Sequence, residues 1–255
     1  MNRHLILMLL LLSLTGVILA QDKDDEDEPL PPPRKASATK FGGAAGYTQN
    51  LLFLNIDPIN QALKSANAAP FDGNGLFMTG GQGYGYIMFL PNVRIGGMGA
   101  SGTRTSTSIQ GTTVRTTELS AGYGGVTIDY VMPVLPRLDV TAGLLLGAGG
   151  LSLTMTRDEG VPKVWDSVLT QLGGTGSASQ YTAKMSGAFF VYQPSVNVEV
   201  ALLRWIGIRV GASYMGLVGS DWKFNDRYDL AGVPDNINSK GWMINGGIFI
   251  GTFMY

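Results

Sequence analysis

Beyond residue 40 the chain consists mainly of long segments in which apolar residues alternate with small or polar ones, the period-2 pattern of strands that turn one face to an apolar phase. In one of them Ile206, Ile208, Val210, Ala212 and Tyr214 share a face, opposite Gly207, Arg209, Gly211 and Ser213. Read with the turn signals between them, these segments predict eight strands, over 39–49, 75–90, 92–107, 112–132, 137–157, 180–203, 206–218 and 240–255. Several exceed the roughly 9–11 residues that a tilted strand needs to cross the hydrocarbon layer. Their ends are therefore expected to project beyond it.

The connections alternate in length. Leu90-Pro91-Asn92, Met132 to Arg137 and Arg204-Trp205 are short, whereas 50–74, 158–179 and 219–239 are long, with a tight turn over Ser108 to Gly111 on the long side. A barrel in an outer membrane has short periplasmic turns and longer outer loops, and an even strand count returns both ends of the sheet to the periplasm. The sequence thus predicts an all-β, closed, antiparallel up-and-down transmembrane barrel with short helical segments in its outer loops. The same rule applies to the backbone: in lipid every amide needs an internal partner, so a chain spans either as helices or as a closed sheet.

Alternation also assigns faces. Val196, Val198, Val200 and Leu202 oppose Asn197, Glu199 and Ala201; Val126, Ile128 and Tyr130 oppose Thr127 and Asp129; Val140, Leu144 and Leu146 oppose Asp139 and Thr141. The polar sets are expected inside. That places Arg94, Asp129, Asp139, Glu199 and Arg209 together as an interior charge cluster, with Glu199 near Arg209, because an ion turned to mid-membrane lipid costs about 2–4 kcal/mol. Such a cluster reads as an ion-paired plug, since eight strands enclose a space that side chains usually fill, or as a polar conduit. At Gly149-Gly150 the apolar phase shifts from Leu144 and Leu146 to Leu151 and Leu153, which predicts a bulge.

Composition agrees with a lipid-facing surface. Charged residues are 15% of the chain against about 25% in a typical soluble domain, while 36 residues are glycine. The net charge of -1 and the absence of cysteine give no reason to expect a nucleic-acid partner and exclude disulfides and thiol chemistry. Arg3 and His4 precede an apolar run from Leu5 to Leu12 that continues to Ala20, the pattern of a cleaved signal peptide over 1–20. Residues 21–40 follow with Asp22, Asp24, Asp25, Glu26, Asp27 and Glu28, four prolines and then Arg34, Lys35 and Lys40. This stretch is expected to be a disordered periplasmic linker, leaving 41–255 as the barrel domain.

Aromatic residues gather near expected strand ends, as interfacial girdles require. The final segment, Gly247 to Tyr255, resembles the C-terminal strand of bacterial outer-membrane proteins, with a terminal aromatic at Tyr255 and further aromatics at Phe253 and Phe249. The chain as a whole resembles the small eight-stranded outer-membrane barrels in architecture (OmpA/OmpX/OmpW-like), without selecting a subfamily. The resemblance implies outer-membrane lipids as surroundings and the barrel-assembly machinery as a partner that reads Phe249, Phe253 and Tyr255.

The loops hold the remaining candidate chemistry. Asp57 to Lys64 and Val161 to Leu172 have helical spacing, and their simplest use is to cap the mouth. The last loop mixes charge with aromatic residues, so Trp222, Phe224, Arg227 and Tyr228 are the expected exposed binding element for an unidentified extracellular ligand. No catalytic, cofactor or metal site is expected. His4 is the sole histidine and lies in the signal segment, which leaves no base for a Ser-His-Asp arrangement. The expectation is a non-enzymatic outer-membrane protein with a structural or surface-binding role. A small pore or transporter for polar or amphipathic solutes, and a soluble secreted barrel, remain as alternatives.

Overall fold

The computed structural model describes residues 42–160, 164–172, 180–233 and 240–253. The expected signal peptide, the acidic linker and Tyr255 lie outside the described residues.

In chain order the elements are β1 (Gly43–Leu54), α1 (Asp57–Ser65), β2 (Gly75–Tyr86), β3 (Val93–Gln110), β4 (Thr113–Leu135), β5 (Leu138–Asp158), α2 (Trp165–Leu172), β6 (Gln180–Ala201), β7 (Ile206–Phe224), β8 (Tyr228–Asp229) and β9 (Gly241–Gly251). Strands β1 to β7 pair in sequence, β9 bridges β7 and β1, and every pairing is antiparallel. Eight strands therefore form one closed up-and-down ring without a free edge. β8 lies outside the ring, as the short return arm of a hairpin on β7. None of the described helices is long and apolar enough to cross a membrane.

Four strands extend well past their expected ends. β1 continues to Leu54, β3 to Gln110, β4 to Leu135 and β7 to Phe224, so residues expected in connections are paired instead. No bulge occurs at Gly149-Gly150: Tyr123 pairs with Gly149 and Gly122 with Gly150 in unbroken register. Register shifts lie elsewhere, between Pro133 and Leu135 where β4 meets β5 and between Ala188 and Phe190 where β6 meets β7. Gly219, at φ 72°, supplies the left-handed backbone that an extra residue in a bulge demands.

The inside is filled in layers, and each strand's inward row changes character along its length. Toward the short-turn end lie Arg94, Asp129, Asp139, Glu199 and Arg209; next come Thr141, Gln193, Asn197 and Ser213; toward the long-loop end lie Leu52, Met78, Leu119, Leu151, Val191, Met215 and Met243. Leu151 and Leu153 point inward with Leu145, on the same row as Asp139 and Thr141. The shift seen in sequence is thus a change from a polar to an apolar lumen while the strand keeps its phase. Outside, Val126, Ile128, Val196, Val210, Ile244, Ile248 and Ile250 are exposed in an apolar band.

Candidate functional site

The charged layer is built by strand register. β3–β4 pairing sets Arg94 opposite Asp129, β6–β7 pairing sets Glu199 opposite Arg209, and β5–β6 pairing sets Asp139 opposite Glu199. Because opposite residues of an antiparallel pair project on one face, each pair meets inside. Arg94 Nε donates to Asp129 Oδ2 at 2.9 Å, and its Nη1 lies 3.2 Å from Glu199 Oε2. Arg209 Nε donates to Glu199 Oε2 at 2.9 Å and its Nη1 to Gln82 Oε1 at 2.6 Å. Glu199 is thus shared between two guanidinium groups, and the Tyr84 hydroxyl donates to its Oε1 at 2.9 Å. Asp139 is buried in the same layer.

Aromatic rings close this layer toward the short turns. The Arg94 guanidinium lies 3.9 Å from the Tyr84 ring centroid and that of Arg209 lies 4.2 Å from the Phe249 ring. Guanidinium groups stack well on rings because the charge is delocalised over a plane that faces the π cloud. Gln82, Tyr84 and Phe249 belong to this layer and were not among the expected cluster residues. A signal for the first two was present: with Gly81, Gly83 and Gly85 on one face, period 2 puts Gln82, Tyr84 and Tyr86 on the other.

Of the expected C-terminal aromatics, Phe249 and Phe253 lie among the described residues. Phe249 is fully buried in the lumen beside Tyr84, and Phe253 is half-buried against the same cluster. The outward face of β9 carries Trp242, Ile244, Ile248 and Ile250, with Trp242 edge-on to Tyr214 at 5.4 Å.

At the long-loop end α1 closes the barrel. Ile59 and Leu63 point down into the apolar layer, and Pro58 in the first turn fits a helix start, where its missing N–H is not needed. Asp57 makes no side-chain cap; instead Asn55 Oδ1 accepts from the Asp57 amide at 3.3 Å. The segment after α1 is pinned: Phe71 N donates to Asn60 Oδ1 at 2.8 Å, and Arg104 Nη1 donates to the carbonyls of Gly73 and Gly75 at 3.0 and 2.9 Å. α2 does not cap the mouth in the same way, since Trp165, Val168 and Leu169 are exposed.

The expected binding element of the last loop is divided by the extension of β7. Trp222 turns inward, packs on the apolar layer and meets Phe189 edge-on at 5.8 Å, and Phe224 is half-buried. Of the four expected residues, Arg227 and Tyr228 are the exposed pair at the tip, stacked at 5.7 Å. Asn225 and Asp226 make the turn with φ 50° and 54°. Lys184 Nζ and Ser186 Oγ each donate to the Asp226 carboxylate at 2.7 Å, and these bonds hold its pKa below the usual aspartate range.

Between α1, the inner wall and the segment after β8 lies a cavity of about 340 Å³. Leu151, Leu153, Met155, Met185 and Trp222 form its wall. Among the described residues no group of three His, Cys, Asp or Glu side chains is placed to hold a metal ion.

No family model and no curated protein matches this chain. Among solved structures, the chain is similar to Ail, the attachment invasion locus protein of Yersinia pestis, crystallised with the heparin analogue sucrose octasulfate: 10% identity, TM-score 0.42, over 82% of this chain and 96% of that one. It is also similar to a major outer membrane protein of Thermus thermophilus, at 8% identity and TM-score 0.42 over 83% and 98%. The outer membrane protease OmpT of Escherichia coli gives 9% identity and TM-score 0.31 over 85% and 97%. Likeness at this level carries no functional argument, and the architecture rests on the strand ring itself: a closed eight-stranded antiparallel barrel of the kind found in small outer-membrane proteins.

Proposed function

We propose that the protein is a non-enzymatic outer-membrane barrel that presents a binding surface at its long-loop end. The observation that carries this reading is the pairing of an apolar outer band with a filled interior. A soluble barrel with Val126, Ile128, Val196, Val210, Ile248 and Ile250 exposed would present an apolar patch well beyond the few hundred Å² usual on a monomer. A pore is disfavoured by the shared Glu199 network at one end and the layer around Leu52, Met78, Val191 and Met243 at the other. In this reading residues 1–20 direct export and are removed, residues 21–40 form a periplasmic linker, and outer-membrane lipids surround the band. Phe249, Phe253 and Tyr255 serve the barrel-assembly machinery in the unfolded chain, before Phe249 turns inward. Arg227 and Tyr228 form the exposed part of the ligand surface, with Trp222 and Phe224 supporting the tip from within.

Fractionation tests the reading directly. The chain is expected in the detergent-extracted outer membrane, migrating faster on gels before boiling than after, and silent in planar-bilayer conductance. Recovery in the periplasm with no heat-dependent migration would overturn the membrane reading; steady ion conductance would move the function to a pore.

A further inference from the structure

We infer that the 340 Å³ cavity beneath α1 is a binding site for a small, uncharged, hydrocarbon-like molecule. The inference deepens the reading of the long-loop end as the binding end. Three observations converge on it.

The first is the lining. Pro58, Ile59, Ala62 and Leu63 of α1 face Leu153, Met155, Met185 and Trp222 of the wall, and the segment from Leu230 to Val233 closes the third side. The Trp222 indole N–H is the sole polar side-chain group in that set, so no side chain there offsets the charge of an ionic ligand. The second is size. Cavities that take small ligands begin at roughly 300 Å³, and an apolar cavity of about 150 Å³ stays dry and holds benzene. By that scale the chamber suits roughly a dozen non-hydrogen atoms. The third is access and fit. Ala62 of α1 and Ala66 just beyond its end, with Ala231 and Gly232 opposite, are exposed while they line the cavity, so small residues form its rim. Met155 and Met185 are flexible and polarisable, which lets the wall adapt to chains of different shape.

The ligand chemistry has two sources, a free apolar solute arriving at the mouth or an acyl chain of a surrounding lipid. Both are tested with Trp222 as reporter, in the full mature chain carrying Trp165→Phe, Trp205→Phe and Trp242→Phe, folded into lipid nanodiscs. Bromooctane is expected to quench Trp222 saturably, and Ala62→Phe, which fills the rim, is expected to raise the half-saturating concentration by about tenfold or more. Nanodiscs made with chain-brominated phospholipid distinguish the source: quenching that Ala62→Phe removes assigns a lipid chain, and its absence alongside bromooctane saturation assigns a free solute. Quenching that rises in proportion to bromooctane and is unchanged by Ala62→Phe would overturn the site. Should the triple-Phe chain not fold, the methyl resonances of Met155 and Met185 in the otherwise unaltered protein report the same titration, and their failure to shift would overturn the site equally. These readouts require only folded barrel, so they fail independently of outer-membrane fractionation.

Discussion

At the scale of single residues, the lumen charges and a few inward glycines decide whether the ring closes. Glu199 is the shared acceptor of Arg94, Arg209 and Tyr84, all buried. Neutralising it leaves two guanidinium groups facing each other without their common counter-ion. Glu199→Gln is expected to cost about 3–5 kcal/mol in urea unfolding from bilayers, the range for breaking a buried pair by one partner. Glycine matters where backbones approach. Gly147 pairs with Gly125, and a Cβ there would strike the Gly124 carbonyl and the Gly125 Cα. On the outward face a Cβ at Gly124 would meet Met98 O at an ordinary 3.6 Å. Gly147→Ala is therefore expected to abolish the fast-migrating folded band, while Gly124→Ala stabilises by about 0.4–1 kcal/mol by limiting the unfolded chain.

At the scale of elements, the outer end is held by local devices of unequal strength. α1 is seated by Ile59 and Leu63 in the apolar layer. Leu63→Ala is expected to cost about 2–5 kcal/mol as a buried truncation, and hydrogen exchange should locate the loss: α1 amides exchange faster while ring amides keep their protection. The β7–β8 hairpin is tied instead by Asp226. Its carboxyl pKa is lowered by the bonds from Lys184 and Ser186, so it binds protons less readily folded than unfolded. The tie is present above the ordinary aspartate pKa and is lost as pH falls through the lowered value. Amides of Arg227 and Tyr228 are expected to lose protection over that acidic range, and Asp226→Asn to show the acid-state exchange at neutral pH. An unchanged profile in Asp226→Asn would show that backbone pairing alone holds the tip.

For the whole molecule, the ring is the cooperative unit, since each of its eight strands has two neighbours and none is an edge. Deleting residues 21–40 is expected to leave the heat-dependent migration of the barrel unchanged, and loss of the folded band would show that this segment takes part in folding.

The strand count, the alternation of short and long connections and the outward rows of β4, β6 and β7 were legible in sequence, because period 2 and turn chemistry are local properties. So was the opposition of Glu199 and Arg209, set by one short turn. The rest depended on closure. Where both faces of a segment are apolar, as around Leu144 to Leu153 or Ile244 to Ile250, alternation separates two rows without saying which is inside. Register against neighbouring strands turned Leu151, Leu153, Met243 and Phe249 inward. It likewise drew Trp222 out of the loop and onto the wall by extending β7. The sequence by itself determined the two faces of each strand and the parity of their connections. Only the tertiary structure decided that the lumen changes from ion-paired to apolar along its axis and leaves a cavity beneath α1, because those properties arise from contacts between residues far apart in the chain.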